Sequence, residues 1–298
     1  MATTETRFRY EGTDGTGLAG FLWRDLDVQP RGVVQLAHGA GEHAGRYFTP
    51  LAPVMAAGWI IYAADHRGHG LTSGMSQLGD FGPGGAPAAV DDMAVLARRA
   101  RTENPGLPLV LMGHSMGAMF AQAWLLDHSA LIDALVLSGT AGPGPRPGAL
   151  RASNSSLRST AKGSGGGGPN SVYANPRTDY DWLSRDPAEV DRYIADPFCG
   201  IRFTKPSAAS FATLREREAT PTALAAVKAG LPVYVFVGDE DPINHKLERL
   251  TPLIEAYRAA GLGVTLKVYP GGRHEMLNET NRAEVVADLV TWLNRALA

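Results

Sequence analysis

The chain has 298 residues, 44% of them hydrophobic and 19% charged, enough apolar mass for one large α/β domain or two smaller ones. A formal net charge of −2 leaves no polyanion footprint and argues against nucleic acid as a partner, and the lone cysteine, Cys199, excludes an internal disulfide framework and a cysteine zinc cluster. The opening MATTETRFRYEGTDG lacks the apolar core of a secretory signal, and no apolar run reaches the ~18 residues of a spanning helix, so a cytoplasmic protein without a transmembrane segment is expected.

In chain order, short apolar and β-branched runs predict strands at 7–12, 18–24, 32–39, 59–68, 108–115, 134–140, 232–241 and 264–272. Unbroken apolar stretches such as PLVLM and VYVFV suit strands buried on both faces. Helical spacing recurs between them at 49–58, 86–101, 116–128, 246–261 and 282–297. That alternation predicts an α/β fold: a mostly parallel central sheet of about eight strands, helices on both faces, and an antiparallel hairpin at the start. The rhythm fails between 141 and 230. There GPGPRPGALRASNSSLRSTAKGSGGGGPNS reads as a long loop, followed by polar, aromatic-bearing helical pieces at 179–198 and 205–230. The expected organisation is a core formed by 1–140 and 231–298, with a cap inserted at 141–230 over the sheet's C-terminal edge. Leu150, Leu157, Val172, Tyr173, Trp182, Leu183, Ile194, Phe198, Ile201, Phe203 and Phe211 would give that cap an apolar wall for an acyl chain, and glycine-rich 163–168 would let it move.

Where the run LPLVLM becomes a helix, the chain reads Gly113-His114-Ser115-Met116-Gly117. Glycines two residues before and after Ser115 are required if the serine takes a strained conformation pointing away from the packed layers, as in a nucleophile elbow. A serine nucleophile needs an adjacent base, and the base needs a third group to orient it. In an open α/β sheet these gather beyond the carboxyl ends of the strands. Ser115 follows PLVLM, Asp239 and Asp241 follow PVYVFVG, and His274 follows VTLKVYPGGR, which is the α/β-hydrolase order Ser, Asp, His. Asp241 is preferred as the acid. Asp239 is expected to spend its oxygens on a local Asx turn, whereas Pro242 biases Asp241 toward an extended conformation that reaches outward. The oxyanion donors are read as the Met116 N–H, at a helix N-terminus, and the Ala40 N–H, in the turn His38-Gly39-Ala40-Gly41-Glu42-His43. DHRGHG at 65–70 suits a structural loop near the site better than a metal cluster. Glu42 and Arg46 stay open between an i,i+4 surface pair and a site role, and Trp182, Tyr193 and Phe198 between cap core and substrate contact.

HGAGEHAGRY, DHRGHGLTSG, GHSMGAMFAQ, GDEDPIN and YPGGRHEMLNE, in that order from His38 to Glu279, resemble the five signature blocks of the monoacylglycerol lipase and lysophospholipase group of α/β-hydrolases. The segment TDYDWLSRDPAEVDRYIADPFCG is similar to the cap of that group. The resemblance implies a triad of Ser115, Asp241 and His274, oxyanion donors at Ala40 and Met116, and a polar, glycerol-facing end of the pocket lined by Glu42, Arg46 and His114. The stretch 163–168 departs from the group, so its lid geometry is not carried over. The expected activity is a serine carboxylester hydrolase acting on monoacylglycerol-like or other medium-to-long-chain monoacyl esters through an acyl-enzyme. It would need no metal or organic cofactor and would meet lipid surfaces transiently through the cap. The alternatives are a short-chain esterase, an amide or aminoacyl-peptide hydrolase on the same triad, and a ligand-binding module with little turnover. The intact Ser, Asp and His argue against the last.

Overall fold

A strand covered on both sides sends successive side chains into two separate cores, because residues i and i+2 share a face. The computed structural model, which describes residues 3–142, 168–215 and 221–297, builds its sheet on that rule. The strands are β1 (Thr3–Glu11), β2 (Gly17–Asp25), β3 (Gly32–Ala37), β4 (Trp59–Ala64), β5 (Leu109–His114), β6 (Ala134–Ser138), β7 (Pro232–Gly238) and β8 (Gly263–Tyr269), in the spatial order β1-β2-β4-β3-β5-β6-β7-β8. β1 pairs antiparallel with β2, and β2 antiparallel with β4. Every pair from β4 onward is parallel. The expected hairpin and the expected parallel sheet are both present.

The described helices are α1 (Ala52–Ala56), α2 (Gly70–Ser73), α3 (Gly85–Glu103), α4 (Met116–His128), α5 (Pro187–Ala195), α6 (Lys205–Arg215), α7 (Pro221–Leu224), α8 (Thr251–Ala259) and α9 (Arg282–Ala296). In β5, Leu109 and Leu111 join one core with residues of α3, α4 and α8, whereas Val110 and Met112 join the other with α1 and α9. α4 is buried nearly all round, which explains a helix apolar on every face. Two helices are shorter than their sequence pattern predicts. α8 begins at Thr251 rather than 246 because His245, Lys246 and Leu247 all have positive φ, a turn that cannot continue as a right-handed helix, and Pro252 then suits the first helical turn. In the 179–198 piece only α5 is helical; the Asp186 carboxylate caps it by accepting the Ala188 N–H at 3.0 Å.

Between β6 and β7 the described chain adds no strand to the sheet. Phe203 and Phe211 of this region pack on Phe81 and Phe120, and Ser207 and Ser210 of α6 accept the Phe81 and Ala86 N–H groups, each at 2.9 Å. Residues 181–185 run against the loop after β8. The Trp182 and Leu183 carbonyls accept the His274 and Glu275 N–H groups at 3.3 and 2.7 Å, Arg273 donates to the Asp181 and Ser184 carbonyls, and Arg185 pairs with the buried Glu279 carboxylate at 2.9 Å. Leu183 and Ile201 are buried, but Val172 and Ile194 face outward. On α5, Val190 and Tyr193 are buried, whereas Ile194, at the last turn of the helix, is exposed and outside any apolar wall. Leu150, Leu157 and 163–167 lie outside the described residues. No helix among the described residues is long and apolar enough to cross a membrane.

α4 approaches the sheet so closely that its first turn admits no side chain on that face. A methyl group on Gly117 would collide with the Ala37 and His38 carbonyl oxygens, and one on Gly113 with the backbone of Gly117 and Ala118. Gly117→Ala should therefore destabilise the fold by about 1–3 kcal/mol, the usual penalty of overpacking. Chemical denaturation of the two chains measures this, and equal stability would show that the helix can move away without loss.

Candidate active site

Ser115, between β5 and α4, has φ 53° and ψ −113°, a region that residues with a side chain rarely occupy. The strain is held from both sides: the Ser115 N–H donates to the Ser138 carbonyl at 2.9 Å, and the Ser115 carbonyl accepts the Met119 N–H at 3.0 Å. Ser115 remains partly exposed while His114 before it is buried. Met116 opens α4, so its N–H is among those an α-helix cannot satisfy internally.

The loops after β7 and β8 bring Asp241 and His274 together. His274 Nδ1 lies 2.9 Å from Asp241 Oδ2, with the two residues only 2% and 1% exposed. His274 Nε2 is buried and forms no hydrogen bond among the described residues. The imidazole lies between His114 and Trp182, with ring centroids 4.8 and 4.9 Å away. Burial alone would lower its pKa, but the charge and hydrogen bond of Asp241, helped by Glu275 and Glu42, outweigh burial and hold it above its ordinary value. For His114, burial and then the neighbouring His274 outweigh the opposing charge of Glu275, and its pKa drops to about 3. The expected division between the two aspartates needs correcting. Asp241 itself makes the Asx turn, its Oδ1 accepting the Ile243 N–H at 2.8 Å. Asp239 makes a non-local bond instead, its Oδ1 accepting the Gly271 N–H at 2.6 Å and tying the β7 loop to the β8 loop. Pro242 has no N–H to offer, so the carboxylate before it reaches the next donor along.

The turn after β3 completes the site. A methyl group on Gly39 would come within 3.2 Å of Ser115 Cβ and 3.1 Å of His114 Cδ2, so backbone meets the elbow directly. Ala40 is exposed. The Gly39 N–H donates to Glu42 Oε1 at 2.5 Å, and the Gly41 carbonyl accepts the Tyr193 hydroxyl and the Gly200 N–H, both at 2.8 Å. His38 Nδ1 lies 2.8 Å from the Gly39 carbonyl, and its Nε2 accepts the His66 N–H at 3.0 Å. Burial first, then the neighbouring imidazoles, lowers the pKa of His38; in DHRGHG the same causes hold His66 at about 3, and burial holds His69 at about 4. Asp65 spends its carboxylate on the Ala44 and Leu71 N–H groups at 2.8 and 2.7 Å. These groups brace the turn.

Glu42 and Arg46 are not a surface pair. Glu42 is 2% exposed, and Arg46 Nη1 donates to its Oε2 at 2.5 Å while the guanidinium also grips Glu275 through two bonds of 2.7 Å. Glu275 and Tyr193 therefore belong to the surroundings of the site. The i,i+4 spacing pointed to the first ion pair, but no local spacing joins Arg46 to a residue 229 positions away. Among the described residues, His43, Asp196 and Cys199 each bring one ligand-type atom within 4.8 Å of the others. His43 Nε2 is already hydrogen-bonded to Asp196 Oδ2 at 2.9 Å, and burial pushes the Cys199 thiol up, away from the thiolate a metal would need.

Residues 28–281 match the family model described as serine aminopeptidase, S33. The chain belongs to that family. It is a serine hydrolase of the α/β-hydrolase superfamily, in the monoacylglycerol lipase-like group. It is 34% identical to the monoacylglycerol lipase of Mycolicibacterium smegmatis over 98% of both chains, and 27% identical to the human monoglyceride lipase over 96% of this chain and 89% of that one. Among solved structures, a thermostable carboxyl esterase from Bacillus coagulans in complex with glycerol superposes with a TM-score of 0.86, at 27% identity and 99% coverage of each chain.

The environment of His274 sets its titration. Its imidazole should titrate above the unperturbed ~6.5. In Asp241→Asn burial should dominate and the midpoint should fall below that value, which histidine NMR resolves; an unchanged midpoint would mean Asp241 does not control the ring.

Proposed function

We propose that this S33-family chain is a serine carboxylester hydrolase that cleaves monoacylglycerol-like and other medium-to-long-chain monoacyl esters. The observation that carries the reading is His274, with Nδ1 bound to Asp241 and a buried Nε2 that has no hydrogen-bond partner among the described residues, in the same cluster as an elbow serine. In this mechanism His274 Nε2 takes the Ser115 hydroxyl proton as Ser115 Oγ attacks the ester carbonyl, and Asp241 fixes the proton on Nδ1. The negative oxygen of the tetrahedral intermediate accepts the Ala40 and Met116 N–H groups. The intermediate collapses to an acyl-enzyme as His274 gives its proton to the departing alcohol. Water, deprotonated by His274, then releases the acid and restores Ser115. No step uses a metal or an organic cofactor.

Glu42, Arg46 and His114 border the alcohol side in this reading, and 141–230 is the cap on the acyl side. Support for the substrate class comes from the likeness to monoacylglycerol lipases along nearly the whole chain. The outward-facing Val172 and Ile194 suit transient contact with a lipid surface by a cytoplasmic enzyme.

Ser115→Ala and Asp241→Asn should each lower ester turnover by about 10⁴-fold or more, while Asp239→Asn, which loses only a loop tie, should stay within about tenfold of wild type. A fluorophosphonate adduct on any serine other than Ser115, or the reverse ranking of the two aspartates, would move the triad.

On a panel of monoacylglycerols and p-nitrophenyl esters, kcat/KM should rise with acyl length by up to about fourfold per methylene, the equivalent of ~0.8 kcal/mol of burial, until the pocket is full. Acetyl esters as best substrates would replace the lipase reading with a small-ester hydrolase. Aminoacyl anilides as best substrates would favour the peptidase activity for which the family is described.

A further inference from the structure

Glu275 adjoins His274 and forms one end of a buried chain of charges. Arg46 donates to both its oxygens at 2.7 Å and, through the same Nη1, to Glu42 Oε2 at 2.5 Å. The other Glu42 oxygen accepts the Gly39 N–H at 2.5 Å and the Tyr47 hydroxyl at 2.7 Å. At the far end, Asn278 donates to Glu275 Oε2 at 2.8 Å, and the Glu275 N–H donates to the Leu183 carbonyl at 2.7 Å. A continuous run of charge-assisted hydrogen bonds thus joins the loop carrying His274 to the turn carrying Ala40, at the point where that turn touches Ser115.

The link matters because of glycine. The peptide plane bearing the Ala40 N–H hangs from Gly39 Cα, and glycine restrains φ and ψ less than any other residue. Its orientation must therefore be set from outside: His38 Nδ1, 2.8 Å from the Gly39 carbonyl, holds the plane itself, and the Glu42 carboxylate fixes the N–H of the preceding plane, across Gly39 Cα. An oxyanion donor works only within about 2.7–3.1 Å of the developing charge, and an error near 1 Å in such geometry costs on the order of 10²-fold in rate.

We propose that Glu275 is a positioning residue: acting through Arg46 and Glu42, it holds the Ala40 N–H in register with Ser115 and His274. This rests on the reading of Ala40 as an oxyanion donor and of Ser115 and His274 as nucleophile and base. It differs from direct contact of Glu42 and Arg46 with the alcohol of a substrate, because a positioning effect is blind to the leaving group.

The test compares full-length Glu275→Gln, Arg46→Lys and the double variant on a p-nitrophenyl ester and a glyceryl ester of the same acyl chain, with thermal melts alongside. In folded protein, kcat should fall about 10- to 100-fold on both esters while KM stays within about threefold. The double variant should be no worse than Arg46→Lys alone, since the residues act as one unit. In Glu275→Gln the acid limb of the kcat/KM profile should also move to lower pH, because an anion beside His274 is gone. Glu275→Gln keeps the side-chain shape and an acceptor oxygen, so it still reports if Arg46→Lys fails to fold. Wild-type kcat in the folded variants overturns the proposal, as does a loss confined to KM for the glyceryl ester, or additive losses in the double variant. The underlying triad fails separately: Ser115→Ala would then still be labelled by a fluorophosphonate as wild type is, whatever the positioning variants do.

Discussion

The distance between α4 and the ends of β3 and β5 governs the rest of the site. With no side chain at Gly113 or Gly117, the helix backbone lies in contact with the sheet's own carbonyls, and Ser115 is the residue that must absorb the turn between them. A looser approach would let the serine relax toward an ordinary helical start, with its hydroxyl directed back among packed side chains. The tight one spends strain to raise the hydroxyl clear of the core, and the same closeness carries the helix N-terminus up to Ser115. The cores on either face of the sheet, fed alternately by each strand, make that geometry hard to deform.

Charge is concentrated at this end of the sheet and almost all of it is paired. Asp241 has His274, Glu42 and Glu275 share Arg46, and Glu279 has Arg185. The surrounding imidazoles of His38, His66, His69 and His114 are kept neutral by burial, so they act as shaped, dipolar hydrogen-bonding groups and add no net charge. Electrostatic interactions are strongest where water is excluded, which favours a charge that develops during reaction and penalises any that loses its partner. Removing one member of a buried pair typically costs about 3–5 kcal/mol.

Features set by neighbours in sequence were legible in the sequence. The buried strands announced themselves through apolar runs, the sharp turn before α4 through two glycines flanking Ser115, and the Asp241–His274 contact through residues that each follow a strand end. Other features depend on partners brought together only by folding. The bond from Arg46 to Glu275 has no local signature, and the Asp241 and Asp239 hydrogen bonds depended on which loop each carboxylate would meet, which proline spacing alone could not tell. The left-handed run at His245, Lys246 and Leu247 was likewise invisible, since none of these residues is a glycine and their helical periodicity reads straight through.

The stitching of residues 181–185 to the loop after β8 separates the durability of the catalyst from that of the fold. His274 is held by the backbone of a segment that takes no part in the sheet, through the Trp182 and Leu183 carbonyls and the Arg185–Glu279 pair. Regions outside the central ladder open with less free energy than the whole molecule requires. When this segment lifts, the imidazole loses its backing and its Trp182 neighbour while the eight strands remain joined. If that seam opens first on warming, activity would be lost while the sheet is still folded, and hardening the protein against heat would mean reinforcing the seam before adding anything to the cores.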